Sequence, residues 1–172
     1  MPPSRRITND MTNQNFHQRK HPRLKCYDYS SEGCYFVTVC VCRADFVLSS
    51  VIDRGPALAP EIILTSLGKI TEKHIFSIED KYENVSVERY AILPDHVHIL
   101  LNFQCPSDGG LGAARPTLQR VIKGTKAMIT REFGQSVWQD SFYDEVIKSE
   151  EHYLRVWSYI DSNAQKWLLS HK

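Results

Sequence analysis

The segment Leu93-Pro94-Asp95-His96-Val97-His98-Ile99-Leu100-Leu101 sets two histidines two residues apart, after a turn-forming proline and before an apolar run. Side chains of a strand alternate between its faces, so His96 and His98 point one way and Val97, Ile99 and Leu101 the other. Two imidazoles on one face can hold one divalent cation side by side, with a third ligand supplied from elsewhere. The pair would equally suit two half-exposed sheet histidines, and it is the surrounding turn and apolar strand that favour ligation. A second constellation is Trp157-Ser158-Tyr159-Ile160-Asp161-Ser162-Asn163. Helical residues four apart share a face, so Tyr159 and Asn163 project together. The Asn163 amide oxygen is then a candidate third ligand, with the Tyr159 hydroxyl beside the metal. The bland alternative is a core tyrosine whose hydroxyl is satisfied.

Together the two groups suit phosphodiester chemistry. A phosphodiester repels nucleophiles because it is anionic, and a divalent cation neutralises a non-bridging oxygen and orients the phosphorus. A tyrosine hydroxyl, with an ordinary pKa of about 10, needs such help to attack. The product would be a covalent phosphotyrosine that keeps the bond energy for strand joining. Imidazole and amide ligands suit Mn²⁺ or Zn²⁺, and Mg²⁺ where water and phosphate oxygens complete the shell. Tyr143, in an expected strand, and Tyr153, on a different helical face from Tyr159, are rival nucleophiles.

These groups need elements to carry them. Residues 33–42 are rich in β-branched and aromatic side chains and predict a long strand, followed by a turn at Arg43-Ala44-Asp45 and a shorter strand over 46–52. Apolar residues at helical spacing predict a helix over about 60–81. Strands follow over 85–93 and 96–103, close enough to be antiparallel neighbours. A Gly- and Pro-rich loop at 104–116 leads to a helix over about 117–133, with Gly134 as its C-cap. Residues 142–147 predict a strand, and Ser149, an N-cap with acids behind it, opens a final helix to about Leu169. The order β-β-α-β-β-α-β-α predicts an α+β sandwich, helices packed on an antiparallel sheet.

At 172 residues and 42% hydrophobic, the chain is expected to form one domain over residues 23–172. No apolar run is long enough to span a membrane, and the polar first 25 residues hold no secretory signal, so a cytoplasmic protein is expected. Five cysteines without a C-x-x-C pair argue against structural zinc and a disulfide framework. Net charge is only +1, but residues 1–25 hold Arg5, Arg6, Arg19, Lys20, Arg23 and Lys25 against one acid. Residues 1–22 read as a flexible basic arm, able to contact nucleic acid or simply to be solvated. Arg19, Lys20, Arg23 and Lys25 are the candidates for nucleic-acid contact at this end of the chain, and Arg120, Lys123, Lys126 and Lys148 for phosphate contact. Trp138 and Tyr143 could stack on an unpaired base, although a buried tryptophan is as natural a reading.

Pro94-Asp95-His96-Val97-His98 resembles the HUH motif, two histidines around a bulky apolar residue. The wider chain resembles the REP-associated tyrosine transposases, related to the IS200-like single-tyrosine transposases. Four blocks carry the likeness: Arg23 to Ser30 leading into Gly33 to Thr38, the histidine strand, Val137 to Lys148, and Tyr159 to Trp167. The resemblance implies a ferredoxin-like α+β fold. It implies a divalent metal (Mg or Mn) on His96, His98 and Asn163, with Tyr159 as nucleophile. It implies cleavage of single-stranded DNA beside a hairpin through a 5′-phosphotyrosine, with transposase-type strand transfer by a monomer or homodimer. Departures are Leu93-Pro94-Asp95 for Met-Pro-Asn, Ala164 where proline often follows, which should let the final helix run on, and Lys148 for an arginine. The alternative function is a DNA-hairpin-binding regulator without catalysis; a third is an unrelated metal hydrolase.

Overall fold

The computed structural model describes residues 28–105 and 116–171. In chain order the elements are β1 (Gly33–Cys40), β2 (Ser49–Ile52), β3 (Glu61–Leu64), α1 (Ser66–Lys81), β4 (Val85–Ile92), β5 (His96–Phe103), α2 (Leu118–Phe133), β6 (Tyr143–Val146), α3 (Glu150–Asp161) and α4 (Asn163–Ser170). The main sheet has the order β4-β5-β1-β6 with every pair antiparallel. Without the β2–β3 hairpin, the chain runs β1-α1-β4-β5-α2-β6, the βαββαβ path of a ferredoxin-like α+β fold.

Alternation along the strands divides the side chains between two cores. Val37, Val39, Val97, Ile99 and Leu101 face α1 and α2 and pack on Leu67, Ile75, Ile78, Val121, Ile122 and Ile129. Phe36, Ala91 and Leu100 face the other way, against Val156 and Ile160 of α3. The sheet is therefore covered on both sides, and His96 and His98 fall on the α3 side.

Two expectations need correction. The helix expected over 60–81 begins only at Ser66, because Glu61–Leu64 pairs with Ser49–Ile52 as a hairpin. The Thr65 hydroxyl accepts from Gly68 N–H (3.1 Å) and caps the true start, and Ile63 lies half exposed on β3. Gly68 is required there: a Cβ would lie 2.0 Å from the Leu48 carbonyl oxygen. The final helix does not run on past Asn163 but breaks at Ser162. Its hydroxyl donates back to the carbonyls of Ser158 (2.8 Å) and Tyr159 (3.3 Å), bonding that competes with the helix ladder. Both expected caps are found: the Ser149 hydroxyl accepts from His152 N–H, and Gly134 takes the left-handed conformation (φ 83°). The arm of residues 1–22, and most of the 104–116 loop, lie outside the described residues.

Candidate active site

The turn before the histidines is clamped on three sides. Leu93 N–H donates to His96 O, Val41 N–H to Asp95 O and Leu48 N–H to Pro94 O, each at 2.9 Å. The two imidazoles emerge from this fixed backbone with ring centroids 4.6 Å apart and Nε2 atoms 3.1 Å apart. Each Nδ1 has its own partner: Asp95 Oδ1 at 2.5 Å for His96, Thr38 Oγ1 at 2.8 Å for His98. An ionised carboxylate can only accept, so His96 Nδ1–H donates to Asp95, and in that tautomer the ring keeps its lone pair on Nε2. The Thr38 hydroxyl can accept from His98 Nδ1–H in the same way. Two Nε2 lone pairs then face each other, an arrangement that a shared cation satisfies, with both rings braced as metal-bound imidazoles usually are.

The electrostatics favour the ligand form. Burial, and then the neighbouring His96 imidazole, push the His98 pKa down to about 3, so the ring is neutral at pH 7. Burial works to raise the Asp95 carboxyl, but the hydrogen bond from His96 and the closeness of that ring outweigh it and hold the group below the usual carboxylate range.

The structure brings Tyr159 to this pair from the far end of the chain. Its ring centroid is 5.3 Å from that of His98, and Phe36 meets it edge-on at 5.9 Å while stacking on His98 at 5.1 Å. Tyr159 is 39% exposed, open on its outer side. Asn163 stands just past the Ser162 break, buried, with Nδ2 lacking a hydrogen-bond partner among the described residues. Turned over, the amide would present a free acceptor oxygen at that position, the chemistry of a third ligand. No hydrogen bond joins it to either imidazole among the described residues.

The rival tyrosines sit among other partners. Tyr143, half buried in β6, has its pKa raised by burial and then by the charge of Glu145. Tyr153 is raised by burial and then by Glu88, whose carboxylate lies 3.5 Å from its hydroxyl.

The candidate DNA contacts scatter. Arg19, Lys20, Arg23 and Lys25 lie outside the described residues. Arg120 and Lys123 are exposed on α2, across the sheet from the histidines. Lys126 Nζ is tied down by the carbonyl oxygens of Gln139 (2.5 Å) and Asp140 (3.2 Å). Lys148 is exposed just ahead of α3, where Ile147 N–H bonds Cys34 O, at the end of the sheet away from His96. Trp138 is buried in the core and is not presented for stacking on a base.

Sequence reasoning missed Thr38 and Phe36 as neighbours of the site, and three more residues near the end of the chain. Lys166 Nζ lies over the Tyr159 ring, 4.2 Å from its centroid. Trp167 lies 5.9 Å from His96 and stacks on His171 at 3.8 Å. Lys166 is seven residues beyond Tyr159, a spacing that shares a face only on an unbroken helix, so the break at Ser162 decides where it lies.

No family model matches the chain. It is 25% identical over 177 residues to an uncharacterized protein of Haemophilus influenzae, spanning 90% of this chain and 93% of that one. A REP-associated tyrosine transposase solved bound to a REP hairpin superposes with a TM-score of 0.57 at 18% identity, over 85% of this chain and 74% of that one. The two chains share a fold. Among the described residues, no helix is long and apolar enough to cross a membrane.

Proposed function

We propose that this chain is a metal-dependent tyrosine endonuclease that nicks single-stranded DNA and transfers the strand, acting in the cytoplasm at hairpin-forming repeats. The observation that carries this reading is the half-open Tyr159 ring 5.3 Å from His98, beside two imidazole Nε2 atoms 3.1 Å apart. A solved structure of the same fold holds a REP hairpin, which supports a hairpin-bearing DNA as the partner proposed here.

His96 and His98 would hold a divalent cation, Mg²⁺ or Mn²⁺, with Asn163 as third ligand. When bound, the cation supplies charge neutralisation at a non-bridging phosphate oxygen. Asp95 and Thr38 keep the imidazoles in the ligand tautomer, and Phe36 and the His98 ring fix the direction of the phenol. The Tyr159 hydroxyl gives its proton to solvent as its oxygen bonds to phosphorus. The bond from phosphorus to the 3′ oxygen breaks, and that oxygen takes up a proton and leaves as a 3′ hydroxyl. The 5′ phosphate stays on Tyr159 until another 3′ hydroxyl reverses the exchange and joins a new strand. One bond forms and one breaks in each direction, so no external energy source is needed.

The test is incubation with hairpin-bearing single-stranded DNA and Mn²⁺, followed by a denaturing gel. Wild-type protein should give a covalent adduct, lost in Tyr159→Phe, His96→Ala and His98→Ala and on adding EDTA. Tyr159→Phe should bind the DNA as wild type does. Binding with no wild-type adduct would instead mean a hairpin-binding regulator. Turnover that survives Tyr159→Phe would mean an unrelated hydrolase.

A further inference from the structure

The ammonium beside the nucleophile has no work in the scheme above. Lys166 projects from α4 on the face of Tyr159, its backbone N–H bonded to Ser162 O at 3.1 Å, so the helix break sets its position. Its Nζ lies 4.2 Å from the Tyr159 ring centroid, and its charge is felt at His98. The side chain is exposed, and no carboxylate pairs with it among the described residues. Arg89, a second cation on this side of the sheet, differs in that respect. Asp161 holds it at 2.5–2.6 Å, and its guanidinium lies over Trp157.

Attack on a phosphodiester builds negative charge on the non-bridging oxygens, and a preplaced cation there stabilises the transition state more than the ground state. A phosphate in line with the Tyr159 hydroxyl would sit past the edge of a ring whose face the Lys166 ammonium already covers, 4.2 Å from its centroid. We infer that Lys166 grips a non-bridging oxygen of the scissile phosphate and seats it against Tyr159. This rests on the nicking function proposed above. The lysine then leaves the aromatic face when DNA arrives, exchanging a weak cation–π contact for a charge-assisted hydrogen bond.

The test uses the full chain and a hairpin-bearing single-stranded oligonucleotide in two forms. One is natural, and the other carries an uncharged methylphosphonate at the linkage where the wild-type adduct maps. Affinities are measured in EDTA, so that no metal bridges protein and phosphate. Wild type should bind the methylphosphonate form about tenfold more weakly. Lys166→Met should bind the natural form about tenfold more weakly and show no further loss with the methylphosphonate. Lys166→Arg, which keeps the charge, should bind the natural form as wild type does. Lys166 is exposed, so neither variant disturbs the core. A methylphosphonate penalty in Lys166→Met equal to that of wild type would overturn the inference while leaving the nicking function intact. No adduct from wild type would end the nicking function itself, and the role of Lys166 with it.

Discussion

At the scale of single residues, His98 is the most perturbed group of the site. It is buried between Phe36 and Tyr159, with Thr38 on Nδ1 and its Nε2 aimed at His96. Its folded pKa of about 3 lies below its ordinary 6.5. Between these values the unfolded chain takes up a proton that the native ring refuses. The stabilisation is therefore complete above about pH 6.5 and is lost as pH falls toward 3. In metal-free buffer, wild-type stability should drop by about 2 kcal/mol more between pH 7 and pH 5 than that of His98→Gln, read from denaturant midpoints. Equal slopes for the two proteins would show that the ring is not buried neutral. The His96–Asp95 contact is partly solvent-exposed and should add little to that difference.

At the scale of elements, the β2–β3 hairpin and α1 meet at one contact that admits no side chain. With a Cβ at residue 68 placed 2.0 Å from the Leu48 carbonyl oxygen, backbone must move. Gly68→Ala should therefore cost about 1–3 kcal/mol, seen as a lowered thermal midpoint. The effect should reach the site, since Leu48 N–H also bonds Pro94 O in the turn that presents the histidines. A Gly68→Ala protein as stable as wild type would mean that the hairpin is free to slide over α1. The break between α3 and α4 is the other element-level feature with consequences. A continuous helix would be the default for Ile160-Asp161-Ser162-Asn163-Ala164, none of which is a strong breaker. The Ser162 hydroxyl turns it there, and with it the direction in which Lys166 and Trp167 leave the backbone.

At the scale of the whole molecule, the sheet separates two chemistries. The histidine pair and Tyr159 lie on the α3 side, while the exposed cations Arg120 and Lys123 ride on α2, across the sheet. A short single strand that covers only the cut linkage cannot touch both. The double variant Arg120→Ala, Lys123→Ala should form the adduct on such a strand at the wild-type rate. It should bind a long hairpin-bearing strand more weakly, with a shallower dependence on salt. Filter binding across a salt series and adduct kinetics on the short strand decide this. A slower adduct on the short strand would put α2 at the reacting phosphate and contradict the layering.

Much of this molecule was legible in short stretches of sequence, because the patterns there are local. Alternation put His96 and His98 on one face, and Val97, Ile99 and Leu101 on the core face. The caps at Ser149 and Gly134 follow from side-chain chemistry and backbone sterics at single positions. The Leu93-Pro94-Asp95 turn implied antiparallel β4 and β5. Ile62-Ile63-Leu64 suits a helix by sequence because three adjacent apolar residues fit helix and strand alike until a partner strand is present. The same limit hid Thr38, which reaches His98 only through the register of β1 on β5, sixty residues away in the chain. Periodicity fixes which way a side chain faces relative to its own backbone. What it faces depends on packing between distant segments, and that is where the tertiary structure set the phenol of Tyr159 against the histidine pair and laid Lys166 over it.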